Sequence, residues 1–299
     1  MAIWSNRPSL KNWRRGSKHA TTNFRQTDRR PFPLLPMKAP QLDNAQVHVW
    51  TACLCAEGTA PEHLYAVLAD EERARADRFL RPEPRRRFIV ARAVLRRLLS
   101  TYAGVDASAL RFGRGAYGKP YLMGDSRLRF NLSHAQEMAM YAFASHRDVG
   151  IDIESTTRDI DIEGVARHVF SAAECETLSA LAPGARRAAF FRSWTRKEAY
   201  VKARGDGLGD ATRLFSVSQR EDDDDSLVAD ERDAQARLHW RVAGLGAPPG
   251  FSAALAAKGR DWSVRRFVVP MMKFDTAHLR DACWPDDRVA SSPPDDRCR

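Results

Sequence analysis

Apolar and polar positions along this chain change period several times, and each change marks an element. Residues 47–55 alternate and are rich in β-forming side chains, which predicts a strand. Residues 61–102 repeat apolar positions at helical spacing, in two pieces separated near Pro82 and Pro84. The second piece carries Phe88, Val94, Leu95, Leu98 and Leu99. Short strands follow at 110–112, 128–132, 138–144 and 149–154. Helices are expected over 162–170, from Ser171 onward with Glu174 completing a capping box, and over 186–203 after a Pro183-Gly184 turn. Strands at 214–218, 238–242, 252–257 and 263–269 form an antiparallel series, the last closing the core.

These elements fall into two halves of similar order, each a strand, a charged helical stretch and then short strands. The expected architecture is α+β, two similar α/β subdomains in pseudo-two-fold arrangement, with a ligand in the cleft between them. The divisions are a basic flexible extension over 1–44, a first subdomain over 45–147, a second over 148–270 and a flexible tail over 271–299.

The chain has 299 residues and a formal charge of +10, so an anionic partner is expected, whether nucleic acid, membrane, nucleotide or acidic protein. No apolar run approaches the roughly 20 residues of a bilayer span, and the basic start lacks the apolar segment of a secretory signal. Five irregularly spaced cysteines resemble neither a disulfide framework nor a zinc site, which points to a reducing cytoplasm.

The chemistry concentrates between Phe130 and Gly207. In Val149-Gly150-Ile151-Asp152-Ile153-Glu154 the two-residue period puts both carboxylates on one face of a strand that otherwise reads as core. Buried carboxylates require a cation or hydrogen-bond donors. Glu198 and Lys202 lie one helical turn apart, with Lys197 beside them, and three converging carboxylates suit Mg²⁺ or Mn²⁺ on a phosphate-bearing ligand. By itself the Lys-Glu-x-x-x-Lys segment reads equally as solvated helix. The turn Arg114-Gly115-Ala116-Tyr117-Gly118-Lys119-Pro120 offers backbone amides and a lysine to phosphate, without the spacing of a Walker loop or dinucleotide fingerprint. Asn131-Leu132-Ser133-His134 ends a strand, where adjacent Ser133 and His134 point to opposite sides and so do not form a nucleophile–base pair. Arginines repeating on one helical face, such as Arg75 with Arg78, are phosphate candidates.

Taken together, Val149 to Glu154 and the run Phe190-Phe191-Arg192-Ser193-Trp194-Thr195-Arg196-Lys197-Glu198-Ala199-Tyr200-Val201-Lys202 resemble the signature of the 4'-phosphopantetheinyl transferases, in their long, monomeric, two-subdomain class. Gly118-Lys119-Pro120 and Phe130-Asn131-Leu132-Ser133-His134 match two further motifs, and the similarity spans about 46–258. The resemblance implies transfer of the phosphopantetheine arm of coenzyme A to a serine of an apo acyl or peptidyl carrier protein. It implies that Asp152, Glu154 and Glu198 hold Mg²⁺, that Glu198 is the base and that Lys202 contacts the pyrophosphate. Gly118, Lys119, Pro120, Asn131, Ser133 and His134 would line the nucleotide, Arg75 and Arg87 would bind the 3'-phosphate, and Arg114 would join the coenzyme A contacts. Two rivals stand beside this reading. A nucleic-acid-binding protein would show aromatics on an exposed sheet, and another Mg²⁺-dependent phosphoryl-transfer enzyme would show a phosphate-cradling loop. Neither pattern is present in the sequence.

Overall fold

In the computed structural model, which describes residues 40–269 apart from 55–60, 208–209, 222 and 224, the first alternating stretch is strand β1 (Gln46–Cys53). The expected helical region resolves into three helices rather than two: α1 (Pro61–Val67), α2 (Asp70–Asp77) and α3 (Pro82–Ala103). Strands β2 (Phe112–Arg114), β3 (Pro120–Leu122), β4 (Leu128–Ala135) and β5 (Met138–Ser145) complete the first half.

The second half repeats this order. Strand β6 (Val149–Ser155) leads to α4 (Ile162–Val169), α5 (Ala172–Ala180) and α6 (Pro183–Arg204). A 3-10 turn (Asp210–Leu214), β7 (Phe215–Val217), β8 (Leu227–Asp230), a short helix α7 (Ala236–His239), β9 (Trp240–Leu245) and β10 (Phe251–Lys258) follow. Both long helices, α3 and α6, have 22 residues, open with proline in the first turn and close on a left-handed glycine, Gly104 and Gly205. Proline lacks the amide that a first turn leaves unbonded, so Pro183 starts α6 where the sequence predicts a separate turn.

One sheet runs β4-β5-β1 with all neighbours antiparallel, and the other runs β9-β10-β6 in the same manner. The last described strand, β11 (Ser263–Val268), departs from the expected antiparallel series. It crosses back and pairs parallel with β1, Gln46 opposite Ser263. The second half is therefore not a continuous block to residue 270, because its final strand belongs to the first sheet. The predicted tail, nearly all of the N-terminal extension, Cys55, Cys283 and Cys298 lie outside the described residues.

The two sheets pack on each other through Val47, Val49, Met140, Ala142, Ile151, Ile153, Leu255 and their neighbours. Helix α3 covers the far face of the first sheet, where Trp50, Tyr141 and Phe143 meet Val94, Leu95 and Leu98. Helix α6 covers the second, with Ala199, Tyr200 and Ala203 against Ala254 and Ala256. The α6 contact is very close at Gly150. A Cβ there would stand 2.2 Å from Ala199 O and 2.3 Å from the Ala203 amide nitrogen, so only glycine lets the helix lie this near the strand. Among the described residues no helix is long and apolar enough to cross a membrane.

Candidate active site at the β4–β6–α6 seam

Period-two geometry turns Val149, Ile151 and Ile153 toward the first sheet and leaves Gly150, Asp152 and Glu154 facing α6. Asp152 is 1% exposed and Glu154 5%. On the helix, Glu198 is buried at 8% exposure, one turn before Lys202. The Lys202 ammonium donates to Asp152 Oδ1 at 2.5 Å and to Ser133 Oγ at 3.2 Å, and Ser133 Oγ donates to the same Asp152 oxygen at 2.7 Å. Asp152 Oδ2 is buried and has no hydrogen-bond partner. Arg158 lies 3.7 Å from Glu154 Oε2.

Ser133 reaches this cluster from the first half because β4 runs beside β6. Asn131, one pleat earlier, is completely buried, and its Oδ1 accepts from the Ile151 amide at 2.8 Å. The sequence expectation put Asn131 on the nucleotide. Here its Oδ1 joins β4 to β6, while its buried Nδ2 has no hydrogen-bond partner. His134 is exposed on the opposite face of β4 from Ser133.

Lys119, expected at a phosphate, also reaches from the first half into the second. Its ammonium donates to Val149 O at 3.0 Å and Ala203 O at 2.8 Å, and burial pushes its pKa down to about 8. Gly118 has φ +83, a left-handed conformation that glycine adopts without strain, and Pro120 opens β3. Tyr117, which the motif reading left without a role, lies against Gly207, where a Cβ would sit 3.0 Å from its ring. The Tyr-Gly-Lys-Pro turn was the available signal.

Among the arginines, Arg75 stacks over Phe88 with 5.2 Å to the ring centroid. Burial lowers its pKa, and repulsion from Arg92 and Arg114 adds to the fall, so these three form one basic patch. Arg92 was not singled out from sequence, although Phe88, Arg92 and Arg96 recur at four-residue steps along one face of α3. Glu72 neutralises part of the patch by accepting from Arg92 Nε at 2.6 Å and Arg96 Nε at 2.5 Å. Its burial favours the neutral acid, but the arginines outweigh this and hold its pKa below the usual value. Arg87 pairs with Glu83 at 2.5 Å, one turn away on α3.

Lys197, grouped with Glu198 and Lys202 in the sequence, turns away from them. It is 2% exposed and pairs with Glu174 at 2.8 Å, donating also to Thr212 O at 2.8 Å. Among the described residues, no three His, Cys, Asp or Glu side chains are grouped tightly enough to hold a metal ion. The oxygen donors of Asp152 and Glu154, with Asp152 Oδ2 unbonded, nonetheless suit a hard divalent cation.

Two family models match the chain. The 4'-phosphopantetheinyl transferase superfamily covers residues 148–257, and the 4'-phosphopantetheinyl transferase N-terminal family covers residues 59–146. The 4'-phosphopantetheinyl transferase HetI of Nostoc sp. is 41% identical over 166 residues, 54% of this chain and 70% of its own length. The 4'-phosphopantetheinyl transferase Sfp of Bacillus subtilis is 31% identical over 161 residues, again 54% and 70%. With both halves of the fold matched in order, and with the buried acids, Glu198 and Lys202 inside the matched segments, the chain belongs to the 4'-phosphopantetheinyl transferase superfamily.

Proposed function

We propose that the protein transfers the 4'-phosphopantetheine arm of coenzyme A to a serine hydroxyl of an apo acyl or peptidyl carrier protein, releasing adenosine 3',5'-bisphosphate. The observation that carries this reading is the Lys202–Asp152 ion pair between α6 and β6, with Glu154 and Glu198 buried on the same two elements, in a chain of this family. Asp152, Glu154 and Glu198 are the residues that would hold Mg²⁺ or Mn²⁺, which would supply charge neutralisation on the pyrophosphate.

The remaining work falls to this chain's side chains. Glu198 takes the proton from the serine hydroxyl, directly or through water, as the oxygen attacks the β-phosphorus. The bond from that phosphorus to the bridging oxygen breaks, and Lys202 offsets the charge gathering on the departing phosphate. The Arg75, Arg92 and Arg114 patch accounts for part of the chain's positive charge and offers guanidinium groups to the 3'-phosphate. Both halves of one chain contribute to the seam, Ser133 from the first and Asp152 with Lys202 from the second, so a monomer suffices. A cytoplasmic setting, where coenzyme A and apo-carriers are available, completes the reading.

Incubation with coenzyme A, Mg²⁺ and a panel of apo-carriers, followed by intact mass, tests the proposal. A carrier should gain the mass of one phosphopantetheine, and no gain in any reaction would overturn it. Glu198→Gln should lower turnover by about a hundredfold or more, the usual contribution of a general base, whereas Arg75→Ala should act mainly on the KM for coenzyme A. Equal turnover in E198Q and wild type would remove Glu198 from the chemistry.

A further inference from the structure

Lys119 belongs to the turn between β2 and β3, yet its charge is used in the other half of the molecule. Its two acceptors are Val149 O at the start of β6 and Ala203 O in the last turn of α6. Carbonyls of a last helical turn lack intrahelical partners, and a cation there also meets the negative end of the helix dipole. The lysine stem follows the same path, since a Cβ on Gly205 would stand 3.5 Å from Lys119 Cδ. Tyr117, two residues before Lys119, packs its ring on Gly207, two residues after Gly205. Gly205 and Gly207 have φ +76 and +80, so the chain leaving α6 is shaped to receive these two side chains. Asp148 acts on the ammonium with opposing charge, and Arg129 with the same sign as the lysine.

We propose that Lys119 is a positioning residue and not a phosphate ligand: it pins the glycine turn of the first half onto the end of α6. The pin holds Lys202, the residue immediately before Ala203, at Asp152 and Ser133, and it fixes the Tyr117–Pro120 turn as a wall of the cleft. The inference rests on the coenzyme A reading of that cleft. A lysine held this way is already committed to two carbonyls, so its contribution to binding comes from the geometry of the turns and carries little of the salt dependence of a phosphate contact.

Lys119→Met keeps the stem and removes the ammonium, and Lys119→Arg keeps charge and donors. Backbone hydrogen exchange should rise at least about tenfold in K119M at residues 115–120 and 201–207 together, and remain near wild type elsewhere. Titration calorimetry with coenzyme A and with 3'-dephospho-coenzyme A, at low and high salt, should show both dissociation constants raised by a common factor of about ten. The salt dependence of binding should match wild type, K119R should recover affinity to within about threefold, and the melting temperature of K119M should stay close to wild type. A reduced salt dependence with exchange unchanged would make Lys119 a phosphate ligand and overturn the proposal. A general rise in exchange with a lowered melting temperature would reduce it to a fold-stabilising residue, which also overturns it. If wild type itself fails to bind coenzyme A, the transferase reading falls, while the exchange measurement still decides the pin.

Discussion

Replacing Lys197 with methionine separates a chemical from an architectural role for the lysine beside Glu198. Lys197 and Glu174 are 2% and 4% exposed and 2.8 Å apart. The ammonium also serves the carbonyls of Thr212 and Phe215 and lies 4.3 Å from the centre of the Phe215 ring. Burial lowers its pKa, an effect that Glu174 opposes. Removing one partner of a buried pair costs about 3–5 kcal/mol, because the other charge is left without its counterion. Glu174 still accepts from the amides of Ser171 at 2.7 Å and Val217 at 2.8 Å, which places the expected loss near the lower end, about 3 kcal/mol. That is a large share of the roughly 5–15 kcal/mol that stabilises a typical domain. In urea unfolding, K197M should lose this amount with an unchanged denaturant slope. The double variant K197M/E174Q should recover part of it, since glutamine leaves no stranded charge, although its single amide oxygen can accept from only one of the two amides. Turnover per folded molecule should stay within about threefold of wild type, because the lysine tip faces α5 and β7 and not the seam. Full stability with collapsed turnover would refute the reasoning and return Lys197 to the reaction.

Two further outcomes follow from the packing. Gly150→Ala should cost about 1–3 kcal/mol or more and also depress turnover, since the methyl would meet backbone atoms of Ala199 and Ala203 and displace the helix that bears Glu198 and Lys202. A melting curve and a turnover assay both matching wild type would refute the close packing. His48 is enclosed between Tyr102 and Phe267, and burial, with Arg265 adding to it, pushes its pKa down from 6.5 to about 4. The unfolded chain therefore binds the proton first, so the stability present above pH 6.5 declines as the pH falls toward 4, by up to about 3 kcal/mol. Urea titrations across that range should show a shallower acid dependence in His48→Gln, and identical slopes would refute the assignment.

How much of this was legible beforehand depends on the distance over which each feature is determined. The acids of β6 could be placed on one face because a strand has only two faces, and the flanking Val149, Ile151 and Ile153 claim the other for the inter-sheet core. The parallel return of β11 to β1 was not legible. Local alternation in Ser263–Val268 marks a strand but carries no information about which of two sheets it will join or in which direction. Charged residues were the other blind spot. Arg96, Arg196 and Lys197 read as surface by type and Lys119 as a phosphate contact, yet each ends its side chain on carbonyls or acids eleven or more positions away. No window along the sequence contains those partners.

One of these errors was avoidable by helical geometry alone. Successive residues on a helix are separated by about 100°, so Lys197 lies about 100° from Glu198 and about 140° from Lys202, whereas Glu198 and Lys202 differ by only about 40°. If Glu198 and Lys202 face β6, Lys197 must face elsewhere, and the elsewhere available to it is the α5 cap and β7. Glu174, already identified as the capping-box acid, was then the natural counterion for a lysine in that position. The seam and the buried pair are thus two sides of one helix. One side presents Glu198 and Lys202 to the strand acids, and the other anchors α6 so that this presentation is held in place.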